Sequence, residues 1–166
     1  FAMDILGRNP GAEVIYDVKS SRYLAQIVRD FGGSPEMWKS GHSFMKATMR
    51  RLDSPFGGEL AGHFYYRDNY FADSSLITVI EVLNAMRRSA APLSSLLEQH
   101  RRYHGTGEVN FHVEDKDAMI LRLARAFADG RADDLDGITV EYPDWWFNVR
   151  PSNTEPLLRL VLEART

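Results

Sequence analysis

The 166 residues, 44% hydrophobic and 26% charged, have the balance of a globular chain able to bury a core. A formal charge of −3 argues against a nucleic-acid binder driven by a positive field. The lack of cysteine excludes disulfides and thiolate metal sites and fits a cytoplasmic location, while no apolar run nears the roughly 20 residues a membrane span needs.

Phe1 in place of an initiating Met predicts a piece of a longer protein. Val14-Ile15-Tyr16-Asp17-Val18 reads as a buried strand. Ser20 or Ser21 caps a helix whose apolar residues Tyr23, Leu24, Ile27, Val28 and Phe31 recur at helical spacing, ending at Gly32-Gly33. Glu36-Met37-Trp38 is a short strand, and residues 43–52 form a helix with Phe44, Met45, Met49 and Leu52 as its apolar stripe. A third strand is expected over 58–67 and a long helix from Ser74 to Arg88. Strands alternating with helices predict βαβ units on a mostly parallel sheet.

Past this point the pattern changes. Ala91-Pro92 opens a short helix and His104-Gly105-Thr106-Gly107 reads as a hinge. A strand (108–113), a helix (116–128) and strands at 137–142, 145–149 and 156–163 follow. The charge balance shifts from +2 over residues 1–103 to −5 over 104–166. The fold class expected is α/β: a βαβ mixed-sheet domain over 1–103, then a smaller α+β domain over 104–166, truncated at its C-terminus.

Gly57-Gly58-Glu59-Leu60-Ala61-Gly62-His63 carries the most chemistry. In an extended chain Glu59, Ala61 and His63 share one face, with Leu60 and Phe64 turned to the core. A carboxylate accepting from vicinal hydroxyls, a small residue and an imidazole suit a polyhydroxylated ligand. The competing reading is a Gly-rich edge strand with a surface Glu. A second cluster, Arg150-Pro151-Ser152-Asn153-Thr154, packs a guanidinium, two hydroxyls and an amide between two strands. Such a loop can wrap a phosphate, and it can equally be an ordinary polar turn. His100 and His104 lack a third ligand. Asp133-Asp134-Leu135-Asp136-Gly137 lacks the ligand spacing of a calcium loop and reads as a helix-to-strand turn.

Gly58-Glu59-Leu60-Ala61-Gly62-His63 resembles the sugar-specificity loop of the phosphomannomutase/phosphoglucomutase (α-D-phosphohexomutase) family, written Gly-Glu-Met-Ser-Gly-His. Ala61 departs from it by the loss of a hydroxyl. Arg150-Pro151-Ser152-Asn153-Thr154-Glu155-Pro156 resembles the family's phosphate loop, Arg-x-Ser-Asn-Thr-x-Pro. The resemblance spans the whole chain as the family's third and fourth domains. It implies substrate contacts from Lys19, His42, Glu59, Ala61, His63, Arg150, Ser152, Asn153 and Thr154. His63 is the catalytic candidate, through proton transfer or a hydrogen bond to the hexose.

The same resemblance implies an isomerase that interconverts mannose or glucose 1- and 6-phosphates through a hexose 1,6-bisphosphate. It also implies a phosphoserine and Mg²⁺ carried by N-terminal domains, with no metal held by residues of this chain. These residues alone are expected to be inactive. Alternatives are a phosphoglucosamine mutase, in which Gln-Ser would stand at Leu60-Ala61, and a non-catalytic sugar-phosphate-binding module. Hexose phosphates and the N-terminal domains are the expected partners.

Overall fold

The computed structural model describes residues 1–98, 100–152 and 155–165. The chain divides into two compact units, Phe1–Arg102 and Tyr103–Thr166.

In the first unit, α1 (Ala2–Arg8), β1 (Glu13–Asp17), α2 (Arg22–Asp30), β2 (Ser34–Trp38), α3 (His42–Leu52) and β3 (Phe56–Gly58) follow in order. They continue into β4 (Phe64–Tyr66), β5 (Ala72–Asp73), α4 (Ser75–Ser89) and α5 (Leu93–Glu98). The five-stranded sheet has the order β2-β1-β3-β4-β5. β1 runs parallel to β2 and β3, whereas β3-β4 and β4-β5 are antiparallel.

Side-chain alternation along β1 supplies both faces of this sheet. Val14 joins Ile5, Leu6, Val28 and Phe56 under α1 and α2, and Ile15 joins Met45, Met49 and Tyr65 under α3. Ser21 caps α2 by accepting from Tyr23 N, and Ser74 caps α4 by accepting from Ile77 N. Gly57 is required by this packing, because a Cβ there would lie 2.8 Å from Met49 Sδ. The α1 helix had no counterpart in the sequence reading. Phe44, expected on the apolar stripe of α3, is exposed, while Met45, Met49 and Leu52 of that stripe pack on the core beneath.

The second unit holds β6 (His104–His112), α6 (Lys116–Ala126), β7 (Arg131–Asp133), β8 (Ile138–Glu141), β9 (Trp145–Pro151) and β10 (Leu157–Ala164). All pairs are antiparallel, in the order β6-β10-β9-β8-β7. Ile138, Val140, Phe147, Val149 and Leu158 pack with Met119, Ile120 and Leu123 of α6 and with Phe127 just past its end. The opposite face of β9 carries Trp146, Asn148 and Arg150, all buried. The expected hinge at 104–107 is instead the first half of β6, paired to β10 across a bulge where Thr106 Oγ1 accepts from Leu162 N at 3.1 Å. Asp133 ends β7 and residues 134–137 form the turn of the β7-β8 hairpin, not a helix-to-strand turn. Among the described residues no helix is long and apolar enough to cross a membrane.

Candidate functional site

The strand expected over 58–67 is two short strands, β3 and β4, joined by a tight turn. Glu59 N donates to His63 O at 2.9 Å and Gly62 N to Glu59 O at 3.0 Å. Gly62 takes φ +87°, a left-handed conformation that glycine adopts without a Cβ clash. The turn replaces the extended alternation, so Leu60 lies 48% exposed instead of facing the core. Glu59 is buried while Ala61 lies exposed at the tip.

The loops following β1, β2 and β3 all leave the carboxyl edge of the parallel strands, the edge at which open α/β sheets place ligands. They are tied together by Asp17, which is fully buried. Its Oδ1 accepts from Ser20 Oγ (2.7 Å) and from Leu60 N (3.2 Å), and its Oδ2 accepts from Ser40 Oγ (3.0 Å). Lys19 Nζ, itself buried, sits 3.5 Å from Oδ2. Lys19 is therefore anchored in the loop junction as well as placed at the strand edge.

Glu59 is clamped in the same way. Its Oε2 accepts from Gly41 N at 3.2 Å and its Oε1 from the Tyr65 hydroxyl at 2.5 Å. Burial, and then the hydrogen bond to Glu59, push the Tyr65 phenol well above its ordinary range, so it stays a neutral donor. An ionised carboxylate has about four acceptor positions. Two are used here, which leaves room for two hydroxyl donors.

Beside this clamp the His42 and His63 rings meet edge to face, with centroids 4.4 Å apart. Asp73 lies against both, with Oδ2 3.1 Å from His63 Nδ1 and Oδ1 3.6 Å from His42 Nδ1. Burial would raise the Asp73 carboxyl, but the His63 hydrogen bond and the charges of His42, His63 and Lys46 outweigh it and hold the carboxyl below its usual range. Among the described residues these three form the one group of three or more with potential ligand atoms within 4.8 Å of one another. Two imidazoles and one carboxylate do not suit Mg²⁺, which demands octahedral oxygen ligands.

In the second unit Arg150 and Ser152 are buried at the end of β9. Arg150 faces Arg159 of β10 across the antiparallel pair. Glu108 lies between the two guanidinium groups, 3.7 Å from Arg150 Nη2 and 3.1 Å from Arg159 Nη1. Arg159 Nη2 also donates to Ser152 Oγ at 3.4 Å and to Glu155 at 3.1 Å. Lys116 Nζ, at the start of α6, donates to the carbonyls of Ser152 and Glu155. The Nε atoms of Arg150 and Arg159 are buried without a hydrogen-bond partner among the described residues. Asn153 and Thr154 lie outside the described residues.

The first unit thus brings Lys19, His42, Glu59 and His63 to one sheet edge, with Ala61 at the tip of the turn. The sequence reading missed the joining roles of Asp17 and Ser40, the Tyr65 donor, Asp73, and the Glu108-Arg159-Lys116 frame around Arg150. Asp17 stands two residues before the Lys19 candidate and Ser40 two before the His42 candidate, which were the available signals. The other contacts join residues that no short motif places together.

An open mixed sheet with loop-borne polar groups at its carboxyl edge, followed by an antiparallel sheet packed on one helix, defines a two-module α/β protein. Residues 1–103 match the model for phosphoglucomutase/phosphomannomutase, alpha/beta/alpha domain III, and residues 108–166 that for the phosphoglucomutase/phosphomannomutase C-terminal domain. The chain belongs to the phosphoglucomutase/phosphomannomutase family.

It is 37% identical over 163 residues to a phosphomannomutase of Methanocaldococcus jannaschii, covering 98% of this chain and 36% of the relative. It is 36% identical over 171 residues to a phosphomannomutase/phosphoglucomutase of Pseudomonas syringae, covering 100% of this chain and 37% of the relative. The solved structure of a family protein from Burkholderia thailandensis superposes with a TM-score of 0.88 at 42% identity, covering 100% of this chain and 36% of that one. The chain spans little more than a third of the length of these relatives.

Proposed function

We propose that this chain supplies the sugar and phosphate recognition of a phosphohexomutase, an isomerase interconverting mannose or glucose 1- and 6-phosphates in the cytoplasm. Residues 1–103 act as the third, sugar-reading domain and 104–166 as the fourth, phosphate-holding domain. The observation that carries this reading is the Glu59 carboxylate. It is held by Gly41 N and Tyr65 OH with acceptor capacity to spare, beside two imidazoles at the carboxyl edge of the sheet.

Glu59 accepts from two sugar hydroxyls, and Ala61 leaves that approach open where the family has a serine. Lys19 and His42 line the same edge. His63 exchanges a proton with the hydroxyl that gains or loses phosphate. Arg150, with Ser152, Asn153 and Thr154, holds the phosphate that does not react, and the unpartnered Arg150 Nε supports an anion there. The phosphoserine, Mg²⁺ and the 1,6-bisphosphate chemistry belong to the remaining domains.

Titrating the chain with mannose 1-phosphate or glucose 1-phosphate tests this by NMR. Shift changes are expected at Glu59, His63 and Arg150. Half-saturation should lie near 1 mM, the roughly 4 kcal/mol left when charge-assisted contacts of about 1.5–3 kcal/mol each exceed the association cost. Silence at these residues would refute the recognition role, and turnover by the chain alone would refute the division of labour.

A further inference from the structure

We infer that Asp73 is the positioning residue of the imidazole pair: its carboxylate grips His63 through Nδ1, fixing the tautomer that leaves Nε2 as the atom facing substrate. The inference rests on the reading of His63 as the proton-transfer group of a hexomutase. It adds a residue that neither recognition motif contains.

Asp73 occupies a two-residue strand, β5, and is brought to the site by pairing with Tyr65 of β4. Both its oxygens are directed at imidazoles, Oδ2 at His63 Nδ1 (3.1 Å) and Oδ1 at His42 Nδ1 (3.6 Å). An ionised carboxylate can only accept. The hydrogen bond therefore places the proton of neutral His63 on Nδ1 and its lone pair on Nε2. No other hydrogen bond to the His63 ring is present among the described residues, and the side chain is 44% exposed. Nε2 is thus the nitrogen open to a ligand.

Around this pair, Lys46 of α3 acts on Asp73, and the Tyr65 ring lies edge to face on His42 at 5.4 Å, itself under the charges of Glu59, Asp73 and Asp17. Asp73 is the carboxylate in contact with either ring. Asp73, held ionised as described above, stabilises an imidazolium when one forms.

In the reaction, the sugar O–H bond breaks as its oxygen forms a bond to the phosphorus of the phosphoserine donor. The proton passes to His63 Nε2, and the serine oxygen leaves with the electron pair of the old O–P bond. In the reverse half of the cycle Nε2 returns the proton. Throughout, Nδ1–H remains donated to Asp73, so the ring does not rotate.

A purely structural role, tethering β5 to the start of α3, makes a different prediction. Asp73→Asn keeps an oxygen acceptor and the tether, but its NH₂ can donate to Nδ1 and admit the other tautomer. Long-range ¹H–¹⁵N spectra of the chain, recorded above the imidazole titration, should show wild-type His63 protonated at Nδ1. D73N should show a mixture. Nε2 protonation in the wild type would overturn the inference, and this arm needs no variant to fold. An unchanged tautomer in a folded D73N chain would overturn it too.

In the full-length protein, D73N should lower kcat by roughly 10- to 10⁴-fold, with KM for the hexose phosphate moving less than about threefold. Loss of the orienting carboxylate costs a Ser-His-Asp hydrolase about 10⁴ in kcat by the same tautomer effect. An unchanged kcat would refute the role. If wild-type full-length protein turns over no hexose phosphate, the proposed function fails while the tautomer spectra still decide the place of Asp73.

Discussion

Replacing Asp17 tests whether one buried carboxylate holds together the loops at the carboxyl edge of the first sheet. Asp17→Ala removes the acceptor of Ser20 Oγ, Ser40 Oγ and Leu60 N and the carboxylate beside Lys19. Each hydrogen bond to a charged group contributes about 1.5–3 kcal/mol, and the three are not additive because they share one acceptor. Removing one partner of a buried ion pair costs about 3–5 kcal/mol. A loss of about 4 kcal/mol is therefore expected, a large share of the roughly 5–15 kcal/mol that stabilises a domain. For a unit of this size that corresponds to a fall of about 20 °C in Tm. Calorimetric thermal unfolding of wild type, D17A and D17N measures it. Asp17→Asn keeps the shape and one acceptor, so it should fall between the two. A D17A loss below about 1 kcal/mol would refute the reasoning, because the loops would then be held by their own turns.

Glu108→Gln removes the carboxylate that neutralises Arg150 and Arg159, and should tighten binding of inorganic phosphate about fivefold, measured by titration calorimetry; weaker binding would show that Glu108 instead holds the arginines in place. Gly57→Ala drives a methyl to within 2.8 Å of Met49 Sδ and should cost about 1–3 kcal/mol by urea unfolding, less if Met49 finds another rotamer. Asp73 has a depressed folded pKa, so its contribution to stability is full above the unfolded carboxylate value of about 3.9 and is lost as pH falls through the lower folded value. The stability gap between wild type and D73N should accordingly narrow as pH drops from about 5 to 3.

The elements legible in the sequence were those written by local chemistry. The β-branched run at Val14-Ile15, the Ser21 cap and the periodic apolar residues of α2 depend on near neighbours, and they stand where the sequence placed them. The strand over 58–67 was misread because alternation alone cannot separate one strand from a tight hairpin. The turn is specified by Gly62 and by the Glu59-His63 backbone bond. The hinge at 104–107 was misread because glycines there mark a bulged strand, whose pairing partner lies more than fifty residues away.

By itself the sequence determined the strand-helix alternation, the change of texture between the two units and the residue types of the 58–63 and 150–156 segments. Each of these is written in consecutive residues. Only the tertiary structure decided how those side chains are held. Asp17 reaches Leu60 across 43 positions, Ser40 reaches Asp17 across 23, and Asp73 meets His42 and His63 through a two-residue strand. A buried carboxylate accepts whichever donors the fold delivers, and which donors arrive is set by strand order and register, not by neighbours along the chain.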